Sequence, residues 1–79
     1  METEEAIRSE MVRGEARYGP FNSTHEGLGV LVEEMYELTV AIHSNKLESV
    51  RCEAIQVAAV AWRLALSLNN SDTRGRSSP

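Results

Sequence analysis

Ile55-Gln56-Val57-Ala58-Ala59-Val60-Ala61-Trp62-Arg63-Leu64-Ala65-Leu66-Ser67-Leu68 is the stretch that decides the fold. Eleven of its fourteen residues are apolar, all but Gln56, Arg63 and Ser67. It reads as a helix that is apolar nearly all round, and such a helix must be covered on nearly every side. The small residues Ala54, Ala58, Ala61 and Ala65 recur at steps of three and four, which permits close approach of other helices. The three polar breaks argue against a membrane span.

Working outward, this helix extends back to about Lys46 and is expected to stop at Asn69-Asn70. Ser44-Asn45 breaks the chain before it, and Asn45, with Glu48 three residues on, is placed to cap it. A second helix runs from about Thr24 to His43, with Leu28, Leu31, Val32, Met35, Leu38 and Ile42 at helical steps. Ser23 and Glu26 have capping-box spacing at its start. A first helix covers roughly Thr3 to Arg17 with a weak stripe of Ala6, Ile7, Met11 and Val12, and Gly14 weakens its end by about 1 kcal/mol. Tyr18-Gly19-Pro20-Phe21-Asn22 is a turn. The expected fold is all-α: a three-helix chain with a central antiparallel hairpin, completing a four-helix-type core by oligomerisation. Residues 1–70 form the single domain, and 71–79 are a polar tail expected to be disordered.

The chain has 79 residues and a formal net charge of −4. A domain of this size buries only roughly 60% of its unfolded surface, so stability is marginal without a staple. The one cysteine, Cys52, forms no internal disulfide and is expected to be a small buried side chain. Self-association is the remaining solution, as a homodimer or homotetramer with the third helix at its centre. An acidic chain argues against a nonspecific nucleic-acid binder. The acidic start, Met1-Glu2-Thr3-Glu4-Glu5, carries no signal-peptide core, so a cytoplasmic location with no membrane partner is expected.

At about 100° per residue, Glu33, Glu34 and Glu37 share one helix face. Like charges this close are destabilising, and more so when desolvated. No lysine or arginine occurs between His25 and His43 to offset them. Across a hairpin closed at Ser44-Asn45, Glu37 and Glu53 lie about eight residues on either side of the turn, at similar heights. Glu34 then falls opposite Gln56. Three carboxylates and one amide facing a common space suit a hard divalent cation such as Mg2+, which keeps waters that a phosphate can displace. The plainer reading is a solvated acidic face.

Glu33-Glu34-Met35-Tyr36-Glu37-Leu38 and Glu53-Ala54-Ile55-Gln56 together resemble the MazG-like branch of the all-α nucleoside triphosphate pyrophosphohydrolases, which use Glu-Glu-x-x-Glu on one helix and Glu-x-x-Asp on the next. Tyr18-Gly19-Pro20-Phe21 and Val57-Ala58-Ala59-Val60-Ala61 are also similar to small MazG-like proteins. The resemblance covers roughly Glu15 to Leu66. It implies an oligomeric helical core, Mg2+, and hydrolysis of a nucleoside triphosphate to a monophosphate and pyrophosphate, as in nucleotide-pool house-cleaning. By position, Glu34, Glu37, Glu53 and Gln56 would hold the metal, and Glu33 or Glu34 would take the proton from water. Arg13, Arg17, Lys46 and Arg51 are the candidate phosphate contacts, and Tyr36 a pocket wall. Gln56 stands where the family has aspartate. An amide can ligate through oxygen but brings no charge and is no general base near neutral pH. The alternative is therefore a non-catalytic helical oligomer of the same fold that binds a nucleotide or a protein.

His25 reads as a solvated first-turn residue, Tyr18 and Phe21 as loop staples, and Trp62 as core or interface. The apolar third helix predicts that sedimentation depends on protein concentration. A monomer at every concentration would sink that expectation.

Overall fold

The computed structural model of the chain describes residues 2–77, with side chains as far as Leu68. They form three α-helices, α1 (Thr3–Tyr18), α2 (Thr24–His43) and α3 (Leu47–Ser77), with no strand among the described residues.

Local chemistry accounts for most helix ends. At the start of α2 the Ser23 hydroxyl oxygen accepts from Glu26 N–H at 3.0 Å. The Glu26 carboxylate accepts from Asn22 N–H, one residue further back than the simple capping box. α2 closes in a Schellman motif: Asn45 N–H donates to the Ile42 carbonyl at 3.1 Å and Lys46 N–H to that of Ala41 at 3.4 Å. Asn45 carries the left-handed conformation this needs, with φ 58°. Asn45 therefore ends α2 instead of capping α3. Lys46 precedes α3, and its carbonyl accepts from Val50 N–H at 2.9 Å.

α3 also runs past Asn69-Asn70, where a stop was expected. Asparagine costs a helix no more than about 0.7 kcal/mol, and no glycine occurs there before Gly75. The side chains of the expected tail, and residues 78 and 79, lie outside the described residues.

α1 and α2 both pack on α3 and not on each other. α2 carries two stripes at steps of three and four, and the structure turns the smaller one inward. Gly27 and Ala41 are buried, and Leu31, Glu34 and Leu38 are half-buried between them. Leu28, Val32, Met35 and Ile42, expected in the core, remain about half exposed. The physical reason is close approach. A Cβ on Gly27 would stand 2.8 Å from Leu64 Cδ1 and 3.3 Å from Phe21 Cδ2. Among the described residues of α3, Ala59 and Val60 are the buried apolar ones, and both are small or compact. The apolar surface left open thus lies largely on α2, where the sequence placed it on α3. Cys52 is exposed, not buried. No helix among the described residues is long and apolar enough to cross a membrane.

Arg63 organises the other side of α3. It is only 7% exposed. Its Nε donates to Glu15 Oε2 at 3.0 Å and its Nη2 to the Gly19 carbonyl at 3.0 Å. The guanidinium lies 4.3 Å from the centroid of the Phe21 ring. The last turn of α1 and the turn that follows it are therefore held to α3 by one side chain. Gly14 leaves room for it, since a Cβ there would stand 2.8 Å from Nη1. Trp62 is covered from α1, with Arg8 Cζ 4.7 Å from its ring centroid.

Arg63→Ala removes charge-assisted bonds and the lid on Phe21, and is expected to cost about 3 kcal/mol in urea unfolding. Gly14→Ala should also destabilise, although helix propensity alone predicts a gain of up to ~1 kcal/mol. A more stable Gly14→Ala would show that Arg63 gives way freely.

Candidate functional site

Glu34 lies on the inner stripe of α2 because the register that buries Gly27 and Ala41 carries it there. Glu37, one turn on, is exposed at the edge of that stripe, and Glu53 projects from α3 beside it. One carboxylate oxygen from each of Glu34, Glu37 and Glu53 lies within 4.8 Å of the others. Glu34 Oε1 and Glu53 Oε1 are buried and have no hydrogen-bond partner. A buried carboxylate oxygen left in that state carries its full desolvation cost.

That cost appears as perturbed acidity. Burial, first, pushes the Glu34 carboxyl above its ordinary value, and the charges of Glu37, Glu53, Glu33 and Glu10 push it further. Glu53 is raised by burial first and then by the neighbouring Glu37 carboxylate. Three carboxylates this close, two of which also carry a buried unpartnered oxygen, are donors of the type a hard cation accepts, and a cation there would offset their mutual repulsion.

Two cavities flank the cluster. One, of about 460 Å³, lies between α1 and α2 over α3. Glu33, Glu34, Gln56, Arg13 and Arg17 line it, together with the Arg63 clamp. The other, of about 420 Å³, is lined by Tyr36, Glu37, Lys46 and Glu53. The expected phosphate contacts are thus divided, Arg13 and Arg17 on one side of the carboxylates and Lys46 on the other. Arg51 lines neither cavity, and its Nη1 donates to Thr3 Oγ1 at 3.2 Å. Gln56 shares the first cavity with Glu34, but its Nε2 donates to Glu10 Oε1 at 2.8 Å. Phe21 anchors the turn under Arg63, whereas Tyr18 is exposed, with Arg17 Cζ 5.3 Å from its ring centroid.

Glu10 and Arg63 are the residues that the sequence pattern did not single out. For Glu10 no local signal existed, because it is one of several glutamates on a weakly patterned helix. For Arg63 there was one: a lone arginine inside an apolar helix needs a partner, and Glu15 is that partner. Comparison with family models, with curated proteins and with solved structures finds no match to this chain.

The raised carboxyls fix a pH dependence. Their ordinary value is near 4.5. The stability linked to them is fully present below that value and is lost as pH rises through the raised folded values. In EDTA, the melting temperature should therefore climb as pH falls from 7 towards 5, and Glu53→Gln should flatten the climb. A profile that is identical in the variant would remove the cluster as its cause.

Proposed function

We propose that the chain is a magnesium-dependent nucleoside triphosphate pyrophosphohydrolase, releasing pyrophosphate and leaving a nucleoside monophosphate. The observation that carries this reading is the convergence of Glu34, Glu37 and Glu53 within 4.8 Å, with buried, unpartnered oxygens on two of them. The resemblance of Glu33-Glu34-Met35-Tyr36-Glu37 and Glu53-Ala54-Ile55-Gln56 to the MazG-like motifs supports it. So do two contacts between α2 and α3 at residues about equally far from the turn, Gly27 near Leu64 and Glu37 near Glu53.

Glu34, Glu37 and Glu53 would hold the ion through carboxylate oxygens, and Gln56 through its amide carbonyl. Bound there, magnesium supplies neutralisation of phosphate charge and acidification of a bound water. Glu33, exposed on the wall of the first cavity, takes the proton of the attacking water, and Glu34 is the substitute if it stays free of the ion. Arg13 and Arg17 bind phosphate oxygens from the α1 wall. Lys46 does so from the second cavity, where Tyr36 forms part of the wall. Assembly as a homodimer or homotetramer completes the four-helix-type core, and the half-exposed Leu28, Val32, Met35 and Ile42 support it.

One observation favours a second reading. Gln56 brings no charge, and its amide is bonded to Glu10. A helical oligomer that binds a nucleotide or a protein without hydrolysis fits that feature.

Pyrophosphate release from a panel of ordinary and modified nucleoside triphosphates, with and without magnesium, separates the two. Magnesium-dependent release that Glu37→Gln lowers at least about a hundredfold supports the enzyme. Gln56→Asp should then raise magnesium affinity. No release from any nucleotide by either the native chain or Gln56→Asp selects the non-catalytic reading.

A further inference from the structure

We propose that Glu10, on α1, is a positioning residue for the cation site: it fixes the side-chain amide of Gln56 so that the carbonyl oxygen is the end left to ligate. This rests on the pyrophosphohydrolase reading and deepens it.

The two ends of a glutamine amide are nearly isosteric, but only the oxygen binds a cation. An amide free to turn would offer its NH2 to the carboxylates about as readily as its oxygen, because NH2 is itself a good partner for them. Glu10 removes that choice. An ionised carboxylate is acceptor-only, so whatever faces it must donate. Gln56 Nε2 donates to Glu10 Oε1 at 2.8 Å, across 46 residues of sequence. The other Glu10 oxygen, Oε2, accepts from Arg13 Nη1 at 2.7 Å. Both oxygens are therefore engaged, and the Glu10 side chain is only 23% exposed. The row Arg13, Glu10, Gln56 ties α1 to the site on α3, and all three residues line the cavity that contains Glu34. Glu10 lies close enough to Glu34 for its charge to be felt there. Position on α1 also makes the ligand set sensitive to the docking of that helix.

Calorimetric titration of the full chain with magnesium chloride alone tests this, with no nucleotide present. The variants are Glu10→Ala, Glu10→Gln, Gln56→Ala and the double Glu10→Ala/Gln56→Ala, each checked for an unchanged helical spectrum in EDTA. Glu10→Ala should weaken magnesium binding by about tenfold, the scale seen when a group that orients a ligand is removed. Glu10→Gln should retain most of the affinity, because its own carbonyl can accept from Gln56 Nε2. In the Gln56→Ala background, Glu10→Ala should have little further effect. If Glu10→Gln weakens binding as much as Glu10→Ala, or if the loss is the same in both backgrounds, Glu10 acts through its charge and the proposal is overturned. A native chain that does not respond to magnesium overturns the pyrophosphohydrolase reading and this one with it. A native chain that binds, with additive variants, overturns this one alone.

Discussion

A buried guanidinium has to be answered on several sides at once, and the architecture is arranged around the answer given to Arg63. It projects from the middle of α3 and meets the Glu15 carboxylate, the Gly19 carbonyl and the face of Phe21. Those three partners belong to the last turn of α1 and to the connection that leads into α2. α1 and α2 do not pack on each other, so their relation is set through α3, to which Arg63 ties the last turn of α1 and the turn after it. Arginine suits the position because its planar fork donates in fixed directions and stacks on a ring, which lysine does not. Burial of the charge is tolerable because Glu15 neutralises it, and Glu15 remains partly in water. Gly14, which weakens α1 as a helix, is explained by the same contact.

The cluster of glutamates is the counterpart on the opposite side of the balance. Arg63 is buried and satisfied, whereas Glu34 and Glu53 each bury an oxygen that no group answers. Among the described residues the core is small, with Ala41, Ala59 and Val60 as its buried apolar members. A chain with so little apolar burial has little stability to set against electrostatic strain. The cluster lies between two cavities, one lined by Glu34 with Arg13 and Arg17, the other by Glu37 and Glu53 with Lys46.

The meeting of Glu37 with Glu53 was legible beforehand because helical periodicity is arithmetic. Counting from Ser44-Asn45 pairs Glu37 with Glu53, and both meet within one cluster. The capping pair Ser23 and Glu26 was legible for a similar reason, its chemistry being local. What escaped was whatever depended on the approach of α1. The partner of Gln56 is 46 residues away, and nothing near Glu10 in the sequence distinguishes it from its neighbouring glutamates. Asn45 escaped differently: asparagine serves both as an N-cap and in the left-handed conformation, and the short connection needed the second.

The sequence by itself determined that the chain is helical, where α2 lies, and that three glutamates share a region of α2. Those properties follow from spacing along one element. Tertiary structure decided which stripe of α2 turns inward. Two stripes were available, and the more apolar one, with Leu28, Val32, Met35 and Ile42, was left half exposed. Gly27 and Ala41 let α3 come closer than larger side chains allow, and close packing on that stripe carries Glu34 inward with it. Only the folded chain could settle this, because the choice depends on the shape of the opposing surface.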